Sequence, residues 1–457
     1  MAGGRLGVLD ERGRRKKVHP ADVDGRWARS QKVVRAALIA LFIATPFVRV
    51  GGQPLLLLEV GARRFWVFGR SFNAQDAPLS FLVVSGLGFL LIATAAIFGR
   101  AWCGWACPQT VWLEGVIRPI ERFVEGSAVE RRRRDAAPWD ARKVARFVSK
   151  HTLFAVVAVV VAAWAVAFFV PLRELGALGR GEAADAPLTA QLVAATAALV
   201  YWDFAWFREQ VCLVLCPYGR LQGALQDGHT LLVGYDARRG EPRGKAGAAR
   251  AGDCVDCRRC VAVCPMGVDV REGPQMECVA CASCIDACDE VMVKLGRPRG
   301  LVRFASEASL AGGETRFLRP RTLGYALAGL VGLLVVGLFV HRYEPFEANV
   351  FRAGGLPYAL DGTTLRAQVS VHVVNKQSGP STITLESAAR DDGVEVRLPT
   401  PELALAPFEG RTVPVLIAVP LPAWNPGMRV TLRVHDGLSS RERCLSIEVL
   451  GPRRAGG

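Results

Sequence analysis

No C-x-x-C-H stretch occurs in the 457 residues, which excludes a covalently attached c-type haem on this chain. No secretory cleavage site is evident near the start, and the first apolar run begins only after about thirty polar, basic residues. A retained membrane helix is therefore expected there rather than a cleaved leader. Acidic residues are scarce beside basic ones, 42 against 57, for a formal charge of +15. Such an excess suggests nucleic acid until its placement is read. Lys and Arg number eight in residues 1–31 and eleven in 99–151, but three in 51–78 and two in 172–187. That alternation is the positive-inside signature, with runs such as Arg131 to Arg134 set against anionic membrane lipid, and no nucleic-acid partner is expected.

What the chain has in quantity is apolar residues in blocks. Five runs approach the ~20 residues that cross a bilayer core: roughly Lys32 to Val50, Leu79 to Phe98, Thr152 to Pro171, Leu188 to Phe207 and Leu323 to His341. Soluble domains rarely bury five such runs. With the N-terminus in the cytoplasm, the segment from about Arg208 to Arg321 is cytoplasmic, and everything after His341 lies in the periplasm.

Twelve of the thirteen cysteines fall on the cytoplasmic side, where thiols stay reduced and bind metals. Cys254, Cys257, Cys260 and Cys264 read C-x-x-C-x-x-C-x-x-x-C-P; Cys278, Cys281, Cys284 and Cys288 repeat the spacing twenty-four residues on, with Asp289 in place of the proline. Zinc needs no third and fourth cysteine at this spacing. A [4Fe-4S] cubane does: the close triplet wraps one cluster and the displaced fourth cysteine ligates the other. Cluster one is assigned Cys254, Cys257, Cys260 and Cys288, and cluster two Cys278, Cys281, Cys284 and Cys264.

Four more cysteines form a second repeat, CGWACP from Cys103 and CLVLCP from Cys212, offset by 109 residues and each following an apolar run. If each motif continues its preceding helix, Cys103 and Cys107, and likewise Cys212 and Cys216, share one helix face, with a proline at the boundary. Four thiols at one membrane edge suit a soft metal such as Cu(I), a third metal centre, a redox-active dithiol, or simple burial. Trp102, Trp105, Trp112, Trp202 and Trp206 read as an interfacial belt, and His151 and His341 as interfacial anchors. Asp203, near the end of the fourth run, is an intramembrane acid of undetermined role.

After Pro345 the pattern becomes short alternating strands: Leu365 to Val373, Ser381 to Glu386, Val394 to Leu398, Glu402 to Leu405, Arg411 to Val419 and Val430 to Val434. These suggest an immunoglobulin-like sandwich without a catalytic constellation. Cys444, the one external cysteine, reads as structural. The fold class is thus a multidomain membrane protein: a five-helix transmembrane bundle, an inserted cytoplasmic di-cluster ferredoxin domain and a C-terminal immunoglobulin-like β-sandwich. The expected domains are residues 1–31, a basic arm; 32–230, four transmembrane helices; 231–322, the ferredoxin domain; 323–341, the fifth helix; and 342–457, the periplasmic domain.

Together the double ferredoxin run, the two C-x-x-x-C-P motifs and the external strands resemble the cytochrome c oxidase accessory proteins called CcoG, FixG or RdxA. The resemblance implies a bacterial inner-membrane protein that reduces Cu(II) to Cu(I) during assembly of the cbb-type oxidase. It implies two [4Fe-4S] clusters on the eight ferredoxin cysteines, copper as substrate ion, and the membrane-edge motifs at Cys103, Cys107, Cys212 and Cys216. Expected partners are copper-handling or oxidase-assembly proteins and a cytoplasmic electron donor, with room for a homodimer. Two other readings remain open here: a quinol-linked respiratory subunit, and a redox-sensing assembly scaffold.

Overall fold

The computed structural model describes residues 17–61, 64–73, 77–245, 252–341 and, within 345–452, all but 353, 355, 378, 388–392 and 438–441. The chain forms two compact units, Met1–Gly69 with Ala74–Val336, and Arg70–Asn73 with Gly337–Gly457.

Five helices are long and apolar enough to cross a bilayer: Arg26–Phe47, Phe81–Phe98, Ala141–Val166, Pro187–Phe207 and Pro320–Leu338. Leu327, Leu330 and Leu334 on the last of them stay exposed, as side chains that face lipid tails must. Small residues let two of these helices meet closely. A Cβ on Gly332 would lie 3.0 Å from the Cα of Gly86, so the second and fifth helices cross with backbones almost touching. The third and fourth are joined through a packed cluster that includes Phe154, Val161 and Phe204, and by a 2.9 Å hydrogen bond between His151 Nδ1 and the Tyr201 hydroxyl.

One end of these helices is locked by buried charge. Arg118, 1% exposed, pairs with Glu114 at 2.6 Å and Glu209 at 2.7 Å, while Glu121 holds Arg208 at 2.5 Å and Arg131 at 3.1 Å. Removing one partner would strand an unpaired buried charge, at about 3–5 kcal/mol.

The segment between the fourth and fifth helices folds on the same side as this network. Strands Leu232–Tyr235 and Val302–Ala305 pair antiparallel and flank helix Ser283–Lys294, with Val233, Ile285, Met292 and Leu301 in the core between them. Helix Ser283–Lys294 does more than fill space. The carboxylate of Asp286 accepts from the amides of Trp27 at 3.2 Å and Ala28 at 2.7 Å, capping the first membrane helix, whose leading N–H groups lack partners of their own. Gly25 is required beside it, since a Cβ there would fall 2.3 Å from Asp286 Cγ.

The second unit carries two antiparallel sheets. One has the order Glu395–Arg397, Gly410–Pro420, Thr364–Asn375, Phe346–Arg352, with Ala359–Asp361 also on Thr364–Asn375. The other runs Glu402–Leu405, Ser381–Ser387, Arg429–Asp436, Glu442–Glu448. Alternate residues of both sheets, including Leu365, Val371, Val415, Ile383, Leu385 and Leu432, enter one shared cluster, so period-two patterning decides which face is buried. In strand Glu442–Glu448 the buried positions are Leu445 and Ile447; Cys444 faces solvent, outside the core. Two strands in this unit lay outside the sequence expectation, Phe346–Arg352 and Ala359–Asp361.

Candidate functional site

The eight ferredoxin cysteines line two cavities. Cys254, Cys257, Cys260 and Cys288 surround the first; Cys264, Cys278, Cys281 and Cys284 surround the second, which Cys260 also touches. The loops are built alike. Asp256 and Arg258 flank Cys257 at φ +49° and +53°, and Ala280 and Ala282 flank Cys281 at +50° and +62°. Four non-glycine residues in the left-handed region represent stored strain, and their even spacing shows what it achieves: each loop curls around its cavity so that three thiols face one centre.

Burial governs these thiols. It raises Cys260 and Cys278 to about 11 and Cys288 to about 12, pushes Cys264 higher still, and lifts Cys284 well above the usual thiol range. A cationic iron core would reverse that balance, and the Val268 amide already points at Cys264 Sγ at 3.3 Å. Among the described residues no three Cys, His, Asp or Glu donors form a cage for a single ion. A cubane holds its ligand sulfurs farther apart than one ion does, and each cavity is lined by a close triplet and one displaced cysteine. The donor set therefore fits two [4Fe-4S] clusters.

The two C-x-x-x-C-P motifs do not continue the preceding membrane helices. The second helix ends at Phe98, Gly99 turns the chain at φ +56°, and Cys103 sits on a separate short helix, Ala101–Trp105. The fourth helix widens over Asp203–Phe207, the chain reverses at Arg208 with φ +50°, and Cys212 lies on a second widened turn, Val211–Leu215. The second cysteine of each motif is extended and caps a new helix whose first residue is Pro108 or Pro217. Proline thus starts a helix in both places, using its fixed φ where no N–H partner is needed.

These breaks bring the pairs together. Cys103 and Cys212 pack in one cluster with Cys264, Cys281 and Tyr218. Cys212 is pushed up to about 12, by burial first and then by the neighbouring Cys107, Cys103 and Cys216. The motif is also stitched to the second cavity, where Trp105 Nε1 donates to Ala280 O at 3.2 Å, and to the first membrane helix, where Gln31 Nε2 donates to Gly104 O at 3.3 Å. Gly104 permits that approach, because a Cβ there would stand 2.3 Å from Val279 O and 3.1 Å from Cys281 N. The glycine of CGWACP is what lets the thiol pair touch the cluster-two loop.

Two polar side chains complete the thiol site without having been legible in the sequence. Arg100, 5% exposed, donates to the Met276 carbonyl just ahead of Cys278, and its charge acts on Cys103, Cys107, Cys212 and Cys278. Its Nε and Nη2 have no oxygen partner. Gln222, fully buried, accepts from Cys103 Sγ at 3.2 Å through Oε1, and its Nε2 is also unpartnered. Buried donors left open beside four thiols suit a site that becomes anionic. Asp203, by contrast, accepts from Gln109 Nε2 at 3.0 Å, one residue beyond Pro108, so it reaches the motif only through that amide.

Comparison with known proteins agrees with the cysteine pattern. A 4Fe-4S dicluster domain profile matches residues 207–307, and a 4Fe-4S binding domain profile matches residues 79–125. Nitrogen fixation protein FixG of Rhizobium meliloti is 39% identical over 65% of this chain and 59% of its own length, so this chain spans under two thirds of that relative. Protein RdxA of Cereibacter sphaeroides is 36% identical over 71% of this chain and 72% of its own, and protein RdxB of the same organism 35% over 80% of each.

Proposed function

Because the chain belongs to the FixG/RdxA family of iron-sulfur electron-transfer proteins, we propose that it reduces Cu(II) to Cu(I) at the four membrane-edge thiols, for assembly of a cbb-type haem-copper oxidase. The observation that carries this reading is the contact between those thiols and the second cluster cavity, through Gly104, Trp105, Cys103 and Cys281. The charge asymmetry supports an N-terminus and ferredoxin segment in the cytoplasm of a bacterial inner membrane, with an immunoglobulin-like domain outside it. Copper-handling or oxidase-assembly proteins are the partners this reading calls for.

When loaded, the two cluster sites supply one-electron storage. The residues do the rest. Cys260, lining both cavities, sets them side by side, and Cys281 joins the second to the thiol site. The membrane-edge thiols surrender protons as Cu(II) binds. Their soft sulfurs favour the reduced ion, so one electron arriving from the Cys281 side converts Cu(II) to Cu(I). Arg100 offsets the thiolate charge, and Gln222 holds Cys103 by its thiol proton until metal replaces it.

The test is anaerobic. Dithionite-reduced protein, freed of excess reductant and given Cu(II), should release Cu(I) to a chelator as its clusters reoxidise. Cys103→Ser with Cys107→Ser should leave the cluster spectrum intact and suppress that Cu(I); unchanged Cu(I) formation would discard the assignment.

A further inference from the structure

Cys257 is the one exposed ligand among the eight ferredoxin cysteines. Asp256 and Arg258 on either side of it are themselves exposed, whereas the matching Ala280 and Ala282 beside Cys281 are buried. The loop around it is gripped by arginines: Arg271 holds Asp256 at 2.5 Å, Arg239 holds Asp253 at 2.7 Å, and Arg297 donates to the carbonyls of Gly252 at 3.0 Å and Asp253 at 2.7 Å.

Those pairings consume the acids and leave cations over. Residues 236–260 hold seven Lys and Arg against four Asp and Glu, and residues 287–306 hold four against two. Both stretches border this loop, since Asp253 N donates to Arg239 O at 2.9 Å and Arg239 reaches Pro298 O at 2.7 Å. Residues 262–286, around the second cavity, hold one Arg against four acids. Within residues 236–306 the basic surplus thus lies on the side where a ligand of the first cavity meets solvent. Arg258, its side chain 74% exposed, stands next to that ligand.

We infer that the face centred on Cys257 is a docking surface for an acidic, one-electron carrier protein. Each encounter moves one electron and no proton: the carrier is oxidised by one, and the site behind Cys257 is reduced by one. Complementary charge would steer the carrier to the one exposed ligand and speed encounter at low salt. The inference rests on the cluster assignment and not on copper.

The test uses the full chain in detergent, its iron content measured first, and a reduced, acidic plant-type [2Fe-2S] ferredoxin as probe. The second-order rate of cluster reduction should fall about tenfold between 50 and 200 mM salt, as expected of steered encounters. Arg258→Glu and Lys245→Glu should each slow it several-fold and flatten the salt slope; Lys245 lies off the cysteine loop, so its variant stands if Arg258→Glu loses iron. Binding of oxidised ferredoxin to the immobilised chain should weaken in parallel, a readout independent of turnover. Reduction by methyl viologen radical, a small cation, should not slow in either variant. A salt-independent ferredoxin rate, or Lys245→Glu and Arg258→Glu as fast as the parent, would overturn the inference. The dithionite experiment above would be untouched by that failure.

Discussion

Two cavities made from the same cysteine spacing, twenty-four residues apart and with left-handed residues at matching positions, meet opposite surroundings. The first opens at Cys257 to solvent amid surplus arginine. The second is closed by Gly104 and Trp105 of the membrane-edge motif, and Cys281 within it is buried. Duplication supplied two equal sites; packing made one an entrance and the other a junction. Identical local chemistry can therefore take different roles according to what the fold presses against it.

The sharpest way to break that difference is to delete one site at a time. Cys284→Ser should lower iron from about eight to about four per chain, as one cubane is lost. Cu(I) formation should fall to background even with dithionite, because nothing then adjoins the thiols. Cys257→Ser should spare more: a small reductant that reaches the second site directly should still drive copper reduction, while ferredoxin no longer does. Equal loss in both variants, by iron assay and chelator absorbance, would erase the distinction.

A smaller effect is expected from parting the junction without touching a ligand. Gly104→Val places a side chain against Val279 O and should destabilise the contact by about 1–3 kcal/mol, as overpacking typically does. Iron content should hold and Cu(I) formation should slow, measured in the same assay; a thermal melt would report the stability change. Cu(I) formation at the parent rate would mean that the contact is incidental.

Charge distinguishes the two sites more gently. Arg100→Gln removes the cation that acts on Cys278 and the membrane-edge thiols, and should shift the midpoint potential of one cluster downward while leaving the other in place. Arg100→Lys should recover part of the shift. Potentiometry that finds both clusters moved equally, or neither, would remove Arg100 from this role. The smallest expected change is in the helix cap: Asp286→Asn keeps an acceptor but loses the charge at the helix start, worth about 0.3–1 kcal/mol in thermal stability.

The sequence carried unequal parts of this picture. Spacing alone divides the ferredoxin cysteines four and four, since each run writes a close triplet and a displaced fourth cysteine that serves the other cluster. Apolar run length locates the five long helices, and period-two alternation the main strands, because both are local statements. What was not legible depends on distant partners. A continuous helix through C-x-x-x-C was the natural expectation, but Gly99 and Arg208 turn the chain. Arg208 is committed to that turn while its side chain pairs with buried Glu121, 87 residues earlier. Arg100 and Gln222 looked like ordinary polar residues until folding set them beside four thiols.

The cap that Asp286 places on the first membrane helix also sets a clock. The two residues are 258 positions apart, so at 5–20 residues per second the helix enters the membrane roughly 13–50 seconds before its cap is even synthesised. Throughout that interval its leading amides are open to water, and they stay so until the segment bearing Asp286, flanked by Cys284 and Cys288, has folded. The start of the first membrane helix is thereby completed only by a residue from the second half of the chain.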